Sequence, residues 1–233
     1  MDMSTMTTSL PGWLAPVAWV FLALALALAS AAAIAYDIHV RGRRHHHPAN
    51  ELVWVGSALY LGPFALPLYA RQGRVHSKKA DRAAAPLVTG RGPVAADGLP
   101  GGTASAVAHL IGVPLVIASG LTIAGIDLWV MILVIAALAM TLLFVYERAA
   151  SSAGGGAMSV GAAAGAAVLT VLAFDIGMAG WMLLLHFNEL MPAATEGSFW
   201  FLMQIGIVLG LITGYPAVAW LIRRRRSAGS LAA

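Results

Sequence analysis

Long apolar stretches separated by short polar segments dominate this chain. Each stretch is near or above the roughly 20 residues that cross about 30 Å of hydrocarbon as a helix. A chain in lipid must satisfy its backbone hydrogen bonds internally, so these stretches are expected to be helical. The pattern predicts an all-α, polytopic transmembrane helix bundle. It forms one integral membrane domain over residues 1–233, with about six spans at residues 13–36, 52–70, 103–125, 128–147, 159–187 and 199–222.

The second stretch leaves two topologies open. Gly62 and Pro63 interrupt it, and Pro67 follows four residues later. Each proline removes a backbone donor from a helix. In the first topology all six stretches cross the membrane. In the alternative, five stretches cross, and residues 52–70 form a re-entrant segment that leaves the membrane on the side where it entered and is shielded by protein.

Composition excludes a water-soluble protein and several kinds of chemistry. Hydrophobic residues make up 60% of the chain and charged residues 10%, whereas about a quarter of a soluble domain is charged. The sequence contains no cysteine, which excludes disulfides, thiolate metal sites, iron–sulfur clusters and a cysteine nucleophile. No phosphate loop, zinc-protease helix or nucleophile elbow occurs, so the motifs indicate no enzyme and no cofactor.

The positive charges report on membrane topology. The net charge of +4 comes from Lys and Arg residues that flank apolar stretches, so the expected partner is the lipid bilayer and not nucleic acid. With six spans and a cytoplasmic amino terminus, eleven of the fourteen cations lie inside, and with five spans and an external amino terminus all fourteen do. Both arrangements place residues 71–102, predicted to be a flexible basic loop, and the carboxy terminus in the cytoplasm.

Two ionisable residues lie well inside the predicted spans, His109 and Asp175. Burying such a group in lipid costs several kcal/mol unless it is paired or hydrated, so an intramembrane polar site is the default hypothesis. From the predicted bounds, His109 lies roughly 9 Å from the cytoplasmic edge and differs from Asp175 in depth by about 8 to 10 Å. A water could bridge the two if their helices are neighbours. The alternative is one buried hydrogen bond, with Ser105 among the candidate partners.

Further candidates continue along the helical face of Asp175. At offsets of 3, 4, 4 and 3 this face carries Met178, Met182, His186 and Glu189. His and Met are ligands for a soft or borderline metal such as copper, although Met is also a common filler of helix bundles. His186 and Glu189, together with Gln204, are assigned to an outer mouth of the site.

A histidine run provides a second weak candidate for metal binding. His45, His46 and His47 follow Asp37 and His39, and the cluster is similar to short His-rich metal tracts. A metal there would itself have to order the segment. The metal candidates of the whole chain are therefore these three histidines, with His109, His186, Met178 and Met182.

Glycines at helical spacing predict close helix packing. The last span carries Gly206, Gly210 and Gly214, and the fifth carries Gly161 and Gly165. Small residues four apart let two helices approach closely. Such faces serve a bundle and a dimer equally well, so a homo-oligomer or a larger membrane complex remains open.

Several strings of the sequence occur together in a recognisable order. They are ALYLGPFAL at residues 58–66, Tyr69, Gly73 and Arg74, Ala104 and Ser105, His109, Gly112, Phe199 and Trp200, Gln204, TGYP at residues 213–216, and WLIR at residues 220–223. This set resembles a bacterial membrane-protein family catalogued as domain of unknown function 4396. The similarity extends from about residue 15 to residue 225, and it implies a multi-pass protein of the bacterial cytoplasmic (inner) membrane with no established activity.

The resemblance also bears on the candidate site. Many members carry a cysteine directly after the histidine that matches His109, and an asparagine near the position of Val218, whereas Leu110 follows the histidine here. A His–Cys metal site, if the family uses one, would be incomplete in this chain. Asp175 matches an acidic position of the family.

Two functional hypotheses follow. The first is a membrane protein that handles a small solute, a proton or a metal ion through His109 and Asp175. The second is an accessory or assembly subunit of a membrane complex that acts through its glycine-rich helix faces.

Overall fold

Helices account for nearly all of the residues that the structure describes. The structure is a computed structural model, and it describes residues 17–45, 47–74, 98–153 and 158–230. In chain order its elements are α1 (Val17–His39), α2 (Pro48–Leu61), a 3-10 turn (Gly62–Phe64), α3 (Ala65–Leu68), a π-helical turn (Tyr69–Gly73), α4 (Leu99–Ser119), α5 (Asp127–Ala153), α6 (Val160–Phe187) and α7 (Gly197–Ser230).

Six of the described helical segments are long and apolar enough to span a membrane. This finding confirms the all-α membrane fold class, and the chain is an integral membrane protein. The six segments are Leu22–His39, Pro48–Gly73, Leu99–Ser119, Asp127–Ser151, Val160–Phe187 and Gly197–Arg224.

The third predicted span is shifted toward the amino terminus. Helix α4 begins at Leu99 and ends at Ser119, whereas the sequence pattern placed it at residues 103–125. Gly120 ends the helix in the left-handed region at φ 62°, which glycine adopts without steric cost. The shift makes residues 99–102 of the predicted loop helical and moves His109 to mid-helix, about 15 Å from either end. Residues 75–97 of that loop lie outside the described residues.

The segment from Pro48 to Gly73 is a helical hairpin. Helix α2 ends at Leu61 and is capped by Gly62, where φ is 55°. Pro63 has no backbone N–H and cannot continue the helical hydrogen bonds. The chain then runs back along α2. The Tyr69 ring packs edge-on against Trp54, with 5.6 Å between the ring centroids, and a side chain at position 73 would collide with the Trp54 indole.

The two ends of the hairpin lie together. Nε2 of His45, just before α2, donates to the carbonyl of Gly73 at 2.7 Å. A straight helix over these 26 residues would hold its ends about 39 Å apart. The hairpin therefore has the shape of the re-entrant alternative for residues 52–70.

The hairpin ends also lie beside the carboxyl ends of two other helices. At the end of α1, Asp37 accepts a hydrogen bond from Nη2 of Arg74 at 3.1 Å. Near the end of α5, the Tyr146 hydroxyl donates to Oδ1 of Asn50 at 3.2 Å. The carboxyl ends of α1 and α5 and both ends of the hairpin thus share one end of the bundle.

Helices α6 and α7 cross at glycines on both sides of their contact. A Cβ at Gly177 on α6 would lie 2.5 Å from the Leu209 carbonyl oxygen of α7. On α7, Gly206 lies under Met178, and Gly210 lies under the Phe174 ring. Gly214 makes an ordinary contact of 3.6 Å with Phe174. The glycine face of α7 is therefore occupied by α6 of the same chain.

The other predicted glycine face is open. A Cβ at Gly161 or at Gly165 would meet no atom of the described chain within 4 Å. These two residues do not contribute to close packing between the described helices, and a role for them in association between chains stays a prediction.

Two alanine substitutions on α6 test the packing. We expect Gly177→Ala to lower the free energy of unfolding by about 1 to 3 kcal/mol, because the new Cβ must displace the backbone of α7. Gly180→Ala, three residues later at an open position, is the matched control and should raise it by up to about 1 kcal/mol through helix propensity. Thermal unfolding in detergent measures both, and equal stability of the two variants would contradict the close crossing.

Candidate functional site

His109 presents an unpaired nitrogen inside the bundle. The residue is 2% exposed, and its Nδ1–H donates to the carbonyl of Ser105 one turn earlier, at 2.8 Å. The Ser105 hydroxyl lies farther, 3.5 Å from the same nitrogen. Nε2 is buried and has no hydrogen-bond partner in the described structure. The Ser105 contact therefore fixes the proton on Nδ1 and leaves the Nε2 lone pair free to accept.

Asp175 lines the same small cavity as His109. The cavity measures about 10 Å³, and the other lining includes Met178, Met182 and Ile135. Its size is that of a single water molecule. Asp175 makes no hydrogen bond or ion pair with any other residue that the structure describes. Two of the predicted site residues, on α4 and α6, are thus brought together in the middle of the bundle.

In this cavity two titratable groups are surrounded by apolar side chains. The imidazole offers one free acceptor, and the Asp175 carboxyl group offers acceptors or a donor according to its protonation. Ile132 and Ile135 of α5 close the cavity on an apolar side. A water held between the two groups would be hydrogen-bonded at both ends, the geometry that a short proton transfer needs.

Gln204, which the sequence assigned to an outer mouth, is half-buried and contacts the hairpin segment. With His109, Tyr60 and Trp200 it lines a second cavity of about 250 Å³. Its Nε2 donates to the carbonyl of Leu59 at 2.6 Å. That carbonyl would normally accept from the N–H four residues later, but Pro63 has none. Gln204 therefore satisfies a backbone acceptor that the hairpin turn leaves open.

The other two residues assigned to the outer mouth lie away from the cavity. His186 is buried at the end of α6, its Nδ1 has no partner in the described structure, and its ring packs edge-on against Phe187. Glu189 is exposed and follows the helix at φ 57°. Neither lines the cavity of His109 and Asp175.

The histidine run makes local hydrogen bonds. His45 bonds to Gly73 as described, and Nδ1 of His47 caps α2 by accepting from the Ala49 N–H at 3.1 Å. His46 lies outside the described residues. In the part of the chain that the structure describes, no three His, Asp or Glu side chains lie close enough together to bind one metal ion. The buried methionines Met178 and Met182 line the His109 cavity.

An ionic cluster at the hairpin ends was not predicted. The Asp37 carboxylate accepts from Nε and Nη2 of Arg74 at 3.2 and 3.1 Å and from the Tyr69 hydroxyl at 3.1 Å. Arg41 and Arg43 lie 3.4 and 3.6 Å from the same carboxylate. The hydrogen bond to Asp37 raises the pKa of the Arg74 guanidinium above its usual range, so Arg74 stays charged.

Glu51 forms the second half of this cluster. Although it lies inside the hairpin segment, it is 5% exposed. Its carboxylate pairs with Nε of Arg44 at 2.9 Å and accepts from the backbone N–H of His45 at 3.1 Å. A sequence signal was present in both cases, since Asp37 and Glu51 each stand directly beside a predicted span, where a buried carboxylate needs a cation nearby.

A protein-family model covers most of the helices of this bundle. A model described as "Domain of unknown function (DUF4396)" matches residues 94–226, which is more than half of the chain. The chain belongs to this family. The DUF4396 region contains His109, Asp175 and Gln204, whereas Asp37, Glu51 and Arg74 precede it. Neither a curated protein nor a solved structure matches the chain.

The His109 tautomer is a direct test of the site geometry. We expect nitrogen NMR of histidine-labelled protein to show Nδ1 of His109 protonated and Nε2 carrying the lone pair, because Ser105 accepts only from Nδ1. The His109→Gln variant identifies the signal by its loss. A proton on Nε2 with a bare Nδ1 would contradict the geometry.

Proposed function

We propose that five helices of the chain cross the membrane and that Pro48–Gly73 enters and leaves from the cytoplasmic side. The bond between His45 and Gly73 supports this topology, as does the bond between Tyr146 and Asn50. A six-span topology would put Asn50 and Tyr146 on opposite sides of the membrane. With five spans, all fourteen Lys and Arg residues lie on one side, in agreement with the positive-inside rule.

The same proposal gives the location and orientation. We place the protein in the cytoplasmic membrane of a bacterium, with an external amino terminus and a cytoplasmic carboxy terminus. The arginines at residues 223–226 follow the last apolar stretch, where anionic lipid of the cytoplasmic leaflet attracts them.

The absence of cysteine allows a clean test of topology. Val40→Cys and Leu121→Cys introduce single thiols at exposed positions after α1 and after α4. Five spans put these thiols on opposite sides of the membrane, whereas six spans put both outside. We expect an impermeant maleimide to label Leu121→Cys in intact cells and Val40→Cys only after permeabilisation. Labelling of both in intact cells would refute the re-entrant topology.

For the activity, we propose that the protein moves or exchanges protons through His109 and Asp175. One observation carries this proposal: His109, whose Nε2 has no partner in the described structure, and Asp175 line one cavity near the middle of their helices. Unpaired ionisable groups at that depth are costly and mark ion or proton pathways.

Cavity size argues against a solute larger than water, and the small number of donor groups argues against a metal ion. About 10 Å³ admits one water and no larger molecule. The two groups supply one nitrogen and one carboxyl group, too few for a closed metal site unless the thioethers of Met178 and Met182 also bind. A proton needs only the two groups and the water between them.

Proteoliposomes test this activity. We expect the wild-type protein to dissipate an imposed pH gradient faster than empty liposomes do, and Asp175→Asn and His109→Gln each to slow this by about tenfold or more, as for loss of a proton-transfer group. Glu196→Gln and His39→Gln are matched controls at exposed positions, and should keep the wild-type rate. No proton flux above the empty liposomes, or equal loss in the controls, would refute the proposal.

A second candidate function is an assembly subunit. The open face of Gly161 and Gly165 on α6 favours it, since the Gly206 and Gly210 face is already occupied inside the chain. This function would be insensitive to Asp175→Asn, provided that the variant folds, and that insensitivity separates it from proton handling.

A further inference from the structure

A cleft with one ionic and one apolar side opens between α1 and the returning arm of the hairpin. Its volume is about 330 Å³. Asp37, Arg41 and Arg74 lie on the ionic side, and Ile34, Leu66 and Ala70 on the apolar side. The ionic side is formed where α1 ends and the hairpin leaves the bundle. In a membrane this is the level at which hydrocarbon gives way to headgroups.

The ionic side carries an excess of positive charge. Arg41 and Arg74 line the cleft, and Arg43, which does not line it, also lies against the single carboxylate of Asp37. That carboxylate is already hydrogen-bonded to Arg74 and to the Tyr69 hydroxyl. The neighbouring Arg44 is balanced by Glu51. Two positive charges therefore remain without a counter-ion of the described chain.

Arg41 is placed to bind an outside anion. Its side chain is 58% exposed, and its contact with Asp37 is long, 3.4 Å. The guanidinium lies over the Tyr36 ring, 5.7 Å from the centroid, which orients it while leaving most of its five donors unused. On Arg74, Nη1 also has no acceptor among the described residues.

We propose that this cleft binds the phosphate of an anionic phospholipid, with an acyl chain lying along the exposed Leu66 and Ala70. A guanidinium group can bind a phosphate through two parallel hydrogen bonds to two of its oxygens. Basic pockets between membrane helices bind anionic headgroups. The apolar side favours a lipid over free phosphate as the ligand, because free phosphate has no apolar group to contact it. The site lies outside the matched family region and does not depend on His109 or Asp175.

The test uses the purified full-length protein in neutral detergent. Native mass spectrometry measures retention of phosphatidylglycerol against phosphatidylcholine with the same acyl chains, and thermal unfolding measures the stabilisation that each lipid confers. We expect preferential retention of phosphatidylglycerol and stronger stabilisation by it. Arg41→Gln should weaken its apparent affinity by about fivefold, as for loss of one interfacial cation, whereas Arg41→Lys should retain most of the preference.

Arg224→Gln is the matched control. Arg224 is likewise exposed and lies over an aromatic ring, that of Trp220, at 4.7 Å, but at the end of α7. Equal effects of Arg41→Gln and Arg224→Gln would mean general attraction of anionic lipid and would overturn the site. Equal retention of the two lipids would also overturn it, as would inorganic phosphate that stabilises the protein as well as phosphatidylglycerol does.

Discussion

The pairing of Asp37 with Arg74 is the interaction on which the arrangement of this bundle depends. It joins the hairpin to α1 through a carboxylate that is 6% exposed, and loss of one partner of a buried ion pair strongly destabilises a protein. With the hairpin closed, α2 lies against α7, and the Leu59 carbonyl freed by Pro63 meets Gln204. Gln204 and His109 then form the wall of one cavity. A charge pair at one end of the bundle thereby positions polar groups near its middle.

Apolar periodicity and length were sufficient to predict the membrane helices, because hydrocarbon imposes both requirements on any span. The helix-breaking Gly62 and Pro63 were enough to raise the hairpin as an alternative. They did not favour it over six spans, since the bonds that support it join His45 to Gly73 and Asn50 to Tyr146. Contacts between residues 28 and 96 positions apart leave no mark in the local pattern of either segment.

The sequence likewise predicted part of the candidate site and not the rest. The cost of burying an ionisable group identified His109 and Asp175 separately. A single sequence does not show which helices are neighbours, so it could not predict that the two residues line one cavity. Gln204 was assigned to an outer mouth, whereas its hydrogen-bond partner is the Leu59 carbonyl, which Pro63 leaves without its usual N–H donor. A single sequence does not show that contact between two distant segments. Gly177 was missed because no glycine lies four residues before or after it, whereas the repeated glycines that face it on α7 form a recognisable pattern.

His109 lines two cavities, the small one that Asp175 also lines and the larger one that Gln204 also lines. Its ring is held by a hydrogen bond from Nδ1 to the Ser105 carbonyl. One side chain thus forms part of the wall of both cavities, so a rotation about its Cα–Cβ bond would change the shape of both at once.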